Sequence, residues 1–255
     1  MKLEPLLVEK PWGGSWLTKL YGSQSKSKIG EAWLLSTLEE GESIANGRPL
    51  SETLGGKLPF VVKIIDAQNN LSIQVHPNNE WALKLEGSLG KTECWLVLDA
   101  KPGAGVFLGL RDGVTGASFA DAVFAGLEVE NLVQFFPVQR GDFITVPAGT
   151  IHAIGAGVVL LEVQQASGIT YRLWDWGRPG RELHLDKGMK VASFENQFTV
   201  QPQIFESMQS GVLFKHADFE CDFNSSAGEG WFVDLKTFEV YCGSQARSTP
   251  YLFIA

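Results

Sequence analysis

The stretch GDFITVPAGTIHAIG, residues 141 to 155, predicts a strand, a tight turn and a second strand, with one histidine directly after the turn. Residues 142–148 form a strand-like run, and Pro147 ends it because proline lacks the N–H donor that a sheet ladder needs. Gly149 permits the sharp bend that follows. The segment therefore favours a β-sheet protein in which a strand-to-strand turn presents His152.

Short strand-like runs bounded by Gly, Pro, Asn and Asp continue outward from this segment along most of the chain. Residues 117–127 are the exception, because Phe119, Val123 and Phe124 have helical spacing there and Ser118 could cap the helix. The pattern predicts a mainly β fold, a jelly-roll sandwich or barrel with few short helices. The other strand-like runs are EAWLLST (31–37), PFVVKIIDA (59–67), LSIQVHP (71–77), ECWLVLDA (93–100), GVFLGL (105–110), LVQFFPVQ (132–139), VVLLEVQQ (158–165) and ITYRLWDW (169–176).

The composition changes after about residue 190, where an irregular connection leads into a few more strand-like runs. We expect a main domain over residues 1–190 and a short C-terminal β unit over residues 191–255. A unit this short is marginal as an independent core, so it should pack on the main body.

Composition and charge narrow the possible partners. The 255 residues are 44% hydrophobic and 20% charged, with a net charge of −8, which argues against a nucleic-acid partner. An anionic substrate would need a local cluster of Lys and Arg to overcome this negative field. The three cysteines include no CxxC, and no apolar run reaches the length of a signal peptide or membrane helix. We expect a cytoplasmic protein with no membrane partner.

The run LSIQVHP places polar groups on one face of a strand, because side chains alternate between faces. One face is aliphatic, and the other carries a hydroxyl, an amide and an imidazole, from Ser72, Gln74 and His76. The run GKTECW contains Lys91 and Glu93, which are again two residues apart. A strand that only fills a core has no need of this combination.

Four of these side chains form a candidate metal site, namely Gln74, His76, Glu93 and His152. They supply two imidazole nitrogens, a carboxylate oxygen and an amide oxygen, which zinc accepts at about 2.0–2.2 Å. One further position, held by water or substrate, would make the site catalytic, and the metal would act there as a Lewis acid. Each residue also has an ordinary structural interpretation, such as a solvated strand end for Glu93.

A carboxylate and a guanidinium on consecutive strands form a second candidate feature. Glu162 lies in an otherwise apolar run, where a charge is costly unless it is paired. Arg172 lies in the next strand, after a Ser-Gly turn, so the two strands could bring a carboxylate and a guanidinium to one cavity. Arg172 could equally pair with Asp175. Arg178, Arg181 and Lys187 add positive charge downstream.

The segment GDFITVPAGTIH fits the second cupin motif, whereas the first motif has Gln74-Val75-His76 in place of its usual His-x-His. This variation resembles class I mannose-6-phosphate isomerases. The resemblance covers roughly residues 8–190, and its motifs are PWGG, GEAWLLS, LSIQVHP, GKTECW, VPAGTIHAIGAG, LLEVQQ, TYRLWDWGR and RELH. It departs from the family at the C-terminus, which is shorter than in bacterial relatives.

The resemblance implies a cupin-type jelly-roll barrel with one zinc ion per chain. It implies that mannose 6-phosphate and fructose 6-phosphate interconvert by proton transfer between C1 and C2 through an enediol. The implied partner is a hexose phosphate, and we expect a monomer or weak homodimer. The implied roles are, for zinc binding, Gln74, His76, Glu93 and His152; for substrate binding, Ser72, Lys91 and Arg172; for catalysis, Arg172, Lys91 and Glu162.

The general base stays open at this point, between Glu162, Lys91 and a water activated by the metal. Other functions also stay open. Cupin scaffolds serve as sugar-binding modules without turnover, since fold alone does not determine function. An isomerase for another phosphorylated sugar and an iron-dependent cupin dioxygenase are further alternatives, of which the dioxygenase suits the glutamine ligand less well.

Overall fold

A computed structural model describes residues 3–22, 28–207, 210–224, 230–243 and 250–255. The described residues form many short antiparallel strands and a few short helices. The strands are β1 (Leu3–Glu4), β2 (Leu6–Gly14), β3 (Ile29–Leu35), β4 (Ile44–Ala45), β5 (Arg48–Pro49), β6 (Phe60–Ala67), β7 (Ile73–Val75), β8 (Glu93–Ala100), β9 (Gly105–Leu110), β10 (Val133–Pro137), β11 (Phe143–Val146), β12 (His152–Ile154), β13 (Val158–Gln165), β14 (Tyr171–Trp174), β15 (Thr199–Gln201), β16 (Gly211–Lys215), β17 (Glu220–Phe223), β18 (Gly230–Asp234), β19 (Val240–Gly243) and β20 (Tyr251–Ile254). The prediction of a mainly β, jelly-roll protein is confirmed.

The α-helices are α1 (Trp16–Leu20), α2 (Leu50–Leu54), α3 (Asn79–Glu86), α4 (Gly116–Phe124), α5 (Leu185–Val191) and α6 (Ile204–Ser207), and two 3-10 turns cover Glu39–Gly41 and Glu130–Leu132. Within the described ranges, no helix is long and apolar enough to cross a bilayer. The predicted helix over 117–127 is α4, but the prediction of Ser118 as its cap is wrong. Thr115 is the N-cap, and its hydroxyl accepts from the Ser118 backbone N–H at 3.1 Å. The Ser118 hydroxyl accepts from the Thr115 backbone N–H in return, which completes a capping box.

Two sheets face each other across the main core. A seven-stranded sheet has the order β15-β11-β8-β13-β6-β2-β3, and a five-stranded sheet has the order β10-β9-β12-β7-β14. Side chains from both inner faces interlock between them, among them Val97, Ile144 and Leu160 from the first sheet and Val106 and Leu108 from the second. Burial of this apolar surface holds the two sheets together.

Each sheet also packs on its outer face. Helices α4 and α5 cover the outer face of the five-stranded sheet, where Ile73, Val75 and Phe119 belong to one apolar cluster. A second five-stranded sheet, of order β16-β17-β20-β18-β19, covers the outer face of the seven-stranded sheet. There Cys94 and Leu96 from β8 share a cluster with residues of the C-terminal strands. The molecule is therefore layered, with β8 buried on both faces.

The expected C-terminal β unit corresponds to this outer sheet, which consists of strands β16 to β20. Strand β15 precedes it and pairs with β11 of the seven-stranded sheet. The domain boundary between residues 190 and 191 stays a prediction. A small additional sheet joins β1, β4 and β5.

Candidate metal centre

The five-stranded sheet carries three of the predicted site residues on its inner face. Gln74 of β7 lies directly opposite His152 of β12 and Arg172 of β14. Residues that face each other across an antiparallel pair point to the same side of a sheet. The neighbouring residues Ile73 and Val75 point the other way, into the cluster beneath the helices. The alternation predicted for LSIQVHP is thus the arrangement that the structure adopts.

The seven-stranded sheet brings Glu93 to the same place. Glu93 opens β8, and its partners are Val146 and Gln164. Trp95, on the same face, lies with its ring centroid 5.5 Å from that of His152. The inner faces of the two sheets therefore meet at the predicted site. This meeting depends on long-range sheet packing, which strand periodicity alone does not specify.

His76, Glu93 and His152 form one buried cluster whose potential ligand atoms all lie within 4.8 Å of one another. Nε2 of His152 is 3.3 Å from Oε1 of Glu93, and Nε2 of His76 is 3.6 Å from Oε2. The Gln74 amide lies 3.3 Å from Nε2 of His152. A tetrahedral ion with ligands at about 2.0–2.2 Å holds its ligand atoms about 3.3–3.6 Å apart. The two spacings between imidazole nitrogens and carboxylate oxygens fit such an ion, and Gln74 borders the same space through its amide nitrogen.

The backbone orients both imidazoles toward the centre of the cluster. Nδ1 of His76 lies 2.9 Å from the Ile169 carbonyl oxygen, and Nδ1 of His152 lies 2.8 Å from the Thr150 carbonyl oxygen. A carbonyl only accepts, so each Nδ1 carries a proton and each Nε2 faces the cavity, where the neutral ring can offer a lone pair to a metal. Ligating histidines usually have such a partner on the second nitrogen.

Glu93 has the environment of a metal ligand. Its side chain is 1% exposed, and the Lys91 ammonium lies 3.0 Å from Oε2 as an ion pair. Within the described ranges, neither carboxylate oxygen accepts a well-aligned hydrogen bond. A buried acceptor left in this state is costly, and a metal ion would satisfy both oxygens. The donor set and its spacing therefore fit a metal.

Gln74 and Ser72 complete this part of the cavity. The Ser72 hydroxyl lies 3.1 Å from Oε1 of Gln74 and can either donate to the amide oxygen or accept from the amide nitrogen. The Gln74 amide can therefore turn its oxygen toward His152, as a metal ligand must. Ser72 is buried and borders the cluster, and its contact with substrate stays a prediction.

Charges in the cavity control the protonation of its groups. Burial and the nearby Lys91 push the pKa of His76 well below its ordinary value, so His76 is neutral at neutral pH and can bind a metal. Burial alone would raise the pKa of Glu93, but Lys91 and the two histidines hold that pKa well below its usual range. Burial and the Glu93 carboxylate together raise the pKa of Glu162, despite opposing Lys91 and Lys63.

The strands that carry Glu162 and Arg172 are not adjacent, and a cavity shared by the two side chains stays a prediction. Strand β13, which carries Glu162, pairs with β6 and β8 in the seven-stranded sheet, whereas β14, which carries Arg172, pairs with β7 in the other sheet. In the part of the chain that the structure describes, no hydrogen bond or ion pair joins the two. The charges around Glu162 are Glu93, Lys91, Lys63 and Glu31. The Ser-Gly turn thus connects two sheets rather than two paired strands.

Arg172 belongs instead to a cationic cluster at the end of β14. Arg178 and Arg181 both contact the buried carboxylate of Asp175, and these charges are the main ones near Arg172. Nε of Arg172, Nε of Arg178 and Nη1 of Arg181 are buried and have no hydrogen-bond partner among the described residues. This cluster adjoins the strand of Ser72 and Gln74, since Arg178 donates to the Asn70 carbonyl at 2.7 Å.

The sequence interpretation missed two charged residues of the inner face. Lys63 of β6 lies directly opposite Glu162, and its ammonium is 3.9 Å from the centroid of the Trp33 ring. Glu31 of β3 accepts from the Trp33 indole at 2.7 Å. Each sits alone in a run of apolar residues, which is the same signal that identified Glu162. The inner face thus carries a row of alternating charges that leads to the cluster.

A jelly roll that gathers two imidazoles and a carboxylate between its two sheets is a cupin-type protein with a metal-binding arrangement. A family model described as phosphomannose isomerase type I, catalytic domain, matches residues 1–92. Mannose-6-phosphate isomerase ManA of Bacillus subtilis is 34% identical, in an alignment that covers 92% of this chain and 82% of that protein. The mannose-6-phosphate isomerase of Streptococcus mutans is 36% identical over 226 residues, covering 78% and 71%.

The fold gives the same result. The crystal structure of the mannose 6-phosphate isomerase from Bacillus subtilis superimposes with a TM-score of 0.78 at 25% identity, covering 99% of this chain and 98% of that one. The chain belongs to the mannose-6-phosphate isomerase family.

Proposed function

We propose that this protein is a zinc-dependent aldose–ketose isomerase that interconverts mannose 6-phosphate and fructose 6-phosphate. The observation that carries the proposal is the convergence of His76, Glu93 and His152 inside the jelly roll, with ligand atoms spaced for one ion. Membership of the mannose-6-phosphate isomerase family supports the choice of substrate.

We propose that Gln74, His76, Glu93 and His152 hold one zinc ion per chain. Two imidazoles, a carboxylate and an amide oxygen suit a borderline cation, and they leave room for substrate oxygens. Zinc bound there supplies Lewis acidity to the oxygens at C1 and C2 of the open-chain sugar. The carbonyls of Ile169 and Thr150 keep both rings aimed at the ion.

Glu162 is the proposed general base. It is buried on the inner face, opposite Trp95 and two residues along the sheet from Glu93. Its raised pKa brings the carboxyl closer to the range in which it can both take and return a proton. The carboxylate would remove the proton from C2 of mannose 6-phosphate and deliver it to C1. The Arg172 guanidinium would hold the oxygen that gains negative charge in the enediol.

The substrate phosphate needs positive charge, which this acidic chain concentrates beside the site. Arg178 and Arg181 share the carboxylate of Asp175, and Arg172 lies near this group, so the cluster keeps an excess of positive charge. Its unpartnered N–H groups suit phosphate oxygens. Lys91 and Ser72 would bind the sugar closer to the metal. A hexose phosphate thus finds a metal at one end and cations at the other.

We infer a cytoplasmic monomer or weak homodimer. Cys94 and Cys221 are free thiols with their sulfur atoms 3.7 Å apart, a pairing suited to a reducing compartment. Analytical ultracentrifugation at micromolar concentrations should give a single species near the monomer mass. A stable higher oligomer would contradict this inference.

The function is tested with purified protein, metal analysis and a coupled assay. We expect about one zinc per chain and conversion of mannose 6-phosphate to fructose 6-phosphate, with deuterium from D2O entering the sugar at C1 or C2. His152→Ala should lose both metal and activity. Binding of the hexose phosphate without isotope exchange would identify a non-catalytic sugar-binding module, and faster turnover of another sugar phosphate would reassign the substrate.

A further inference from the structure

Several hydrogen bonds hold the segment that carries Lys91 and Glu93 in place. The Gly90 N–H donates to Oδ1 of Asn79 at 2.8 Å, and the Lys91 N–H donates to the Pro77 carbonyl at 3.0 Å. Thr92 is bound through all its polar groups. Its hydroxyl accepts from the Ala148 N–H at 3.2 Å, which ties it to the turn before His152.

Gln165 is the centre of this network. Its Oε1 accepts from the Thr92 N–H at 2.8 Å, and its own backbone N–H donates to the Thr92 carbonyl at 3.0 Å. Its Nε2 donates to Oδ1 of Asn79 at 3.0 Å. Gln165 is 1% exposed, so its amide has no access to water and depends on these partners.

The remaining donor of Gln165 reaches the C-terminal sheet. Nε2 of Gln165 donates to Oδ2 of Asp218 at 2.6 Å. Asp218 lies in the turn between β16 and β17, and the adjacent Phe219 packs against Phe60 of β6 with ring centroids 6.3 Å apart. The acceptor is a carboxylate oxygen, and hydrogen bonds to carboxylates are shorter and stronger than those between neutral groups.

We propose that Asp218 is a positioning residue for the metal centre, which acts through Gln165 on the backbone of Lys91, Thr92 and Glu93. The carboxylate fixes the Gln165 amide, the amide fixes Thr92, and Thr92 fixes the residues on either side that form the Lys91–Glu93 ion pair. The C-terminal sheet thereby takes part in building a site to which it contributes no ligand. This inference rests on the metal centre proposed above.

Asp218 has the position that this role requires. Its side chain is 25% exposed in a turn, so its removal opens no core cavity. Outer partners that orient metal ligands typically change metal affinity by about 10–100-fold. Asp218 is one residue further removed, so an effect near the lower end is expected.

The test compares wild type with Asp218→Ala and Asp218→Asn. In Asp218→Ala we expect amide hydrogen exchange in residues 90–94 to become at least about tenfold faster, zinc affinity to fall about tenfold by chelator competition, and kcat to fall with KM nearly constant. Asparagine keeps an acceptor, so Asp218→Asn should recover most of each loss. In a Gln165→Met background, Asp218→Ala should add no further change.

Glu220→Ala is the matched control, because it removes a carboxylate from the same hairpin, where Glu220 pairs with Lys215 at 2.7 Å. Wild-type exchange rates and zinc affinity in Asp218→Ala would overturn the inference, and so would equal effects in Glu220→Ala. Hydrogen exchange and zinc affinity do not depend on the substrate. A wild-type protein that lacks isomerase activity would therefore refute the proposed function while leaving the role of Asp218 to be decided by these two readouts.

Discussion

At the scale of the residue, the site depends on which atom each side chain presents. His76 and His152 donate Nδ1–H to backbone carbonyls and direct Nε2 toward the cavity. Glu93 keeps both oxygens free of well-aligned hydrogen bonds within the described residues. Local backbone geometry determines these orientations. A substitution that preserves the charge of a side chain can still change the atom that it presents to the cavity.

Glu162→Gln should reduce kcat by about 10²–10⁴-fold, since general acid–base catalysis contributes about this factor. Zinc content should remain at the wild-type level, because Glu162 is not among the proposed ligands. Metal analysis and steady-state kinetics provide the measurement. Glu128→Gln, at an exposed position, is the control. Wild-type kcat in Glu162→Gln would assign the base to another group.

Arg172→Ala should lower kcat by about 10²–10³-fold and change KM much less, because the guanidinium is proposed to act on charge that develops during the reaction. Arg111→Ala removes an exposed guanidinium elsewhere and should leave both constants unchanged. A rise in KM with unchanged kcat would show that Arg172 serves substrate binding alone.

The buried hydroxyl of Tyr21 should lower the stability of the folded protein at alkaline pH. Burial raises the pKa of Tyr21 to about 12, and its hydroxyl has no hydrogen-bond partner in the described part of the chain. The unfolded state ionises near pH 10 and the folded state near pH 12, so stability is lost progressively between those values. Tyr21→Phe should unfold like wild type at pH 8 and at a higher temperature above pH 10. Equal melting temperatures at pH 11 would contradict this.

At the scale of the element, the turn between β11 and β12 sets the position of His152. Gly149 has φ +89°, and its N–H donates to the His76 carbonyl at 2.8 Å. A Cβ there would lie 3.1 Å from Cβ of Ser193. One glycine thus permits the bend and joins the two histidine-bearing segments.

Gly149→Ala should destabilise the protein by about 1–2 kcal/mol, because the left-handed conformation is unfavourable for alanine. For a chain of this length the melting temperature should fall by about 2–8 °C. Gly56→Ala is the control, since a Cβ at Gly56 meets nothing within 4 Å and the backbone there is not left-handed. Equal melting temperatures for the two variants would contradict the argument.

Elements and faces were predictable where strand periodicity is strong. The alternation in LSIQVHP placed Ser72, Gln74 and His76 correctly, because a strand with one apolar face has only one way to sit on a core. The partner of each strand was not predictable in this way. The strands of Glu162 and Arg172 were expected to be adjacent because β13 and β14 are consecutive, yet the pairing of each strand depends on contacts with strands far away in sequence.

The network around Gln165 shows the same limit more clearly. Asp218 lies 53 residues from Gln165 in the sequence. No local pattern marks an aspartate in a turn as a partner of a buried amide. Lys63 and Glu31, by contrast, carried a readable signal, since a lone charge in an apolar strand is costly unless something in the fold needs it.

At the scale of the whole molecule, the metal should stabilise a fold that is already held together by apolar packing. Three apolar clusters between four successive layers bury most of the large aliphatic and aromatic side chains. The protein without metal should therefore remain folded. Zinc should add stability through its preference for the native state.

Removal of zinc by a chelator should lower the melting temperature by about 5–10 °C relative to protein with zinc at about 100 times its Kd. The far-ultraviolet circular dichroism spectrum should not change. Differential scanning calorimetry and readdition of zinc give the measurement and its control. Complete unfolding on chelation would show that the apolar layers do not suffice.

Strand β8 serves two neighbours at once, since Glu93 and Trp95 point into the cavity while Cys94 and Leu96 point toward the C-terminal sheet. Inserting or deleting a single residue in this strand would exchange the two sets. Glu93 and Trp95 would then face the apolar contact with the C-terminal sheet, and Cys94 and Leu96 would face the proposed metal cavity. The number of residues in β8 therefore determines which of its side chains reach the proposed site.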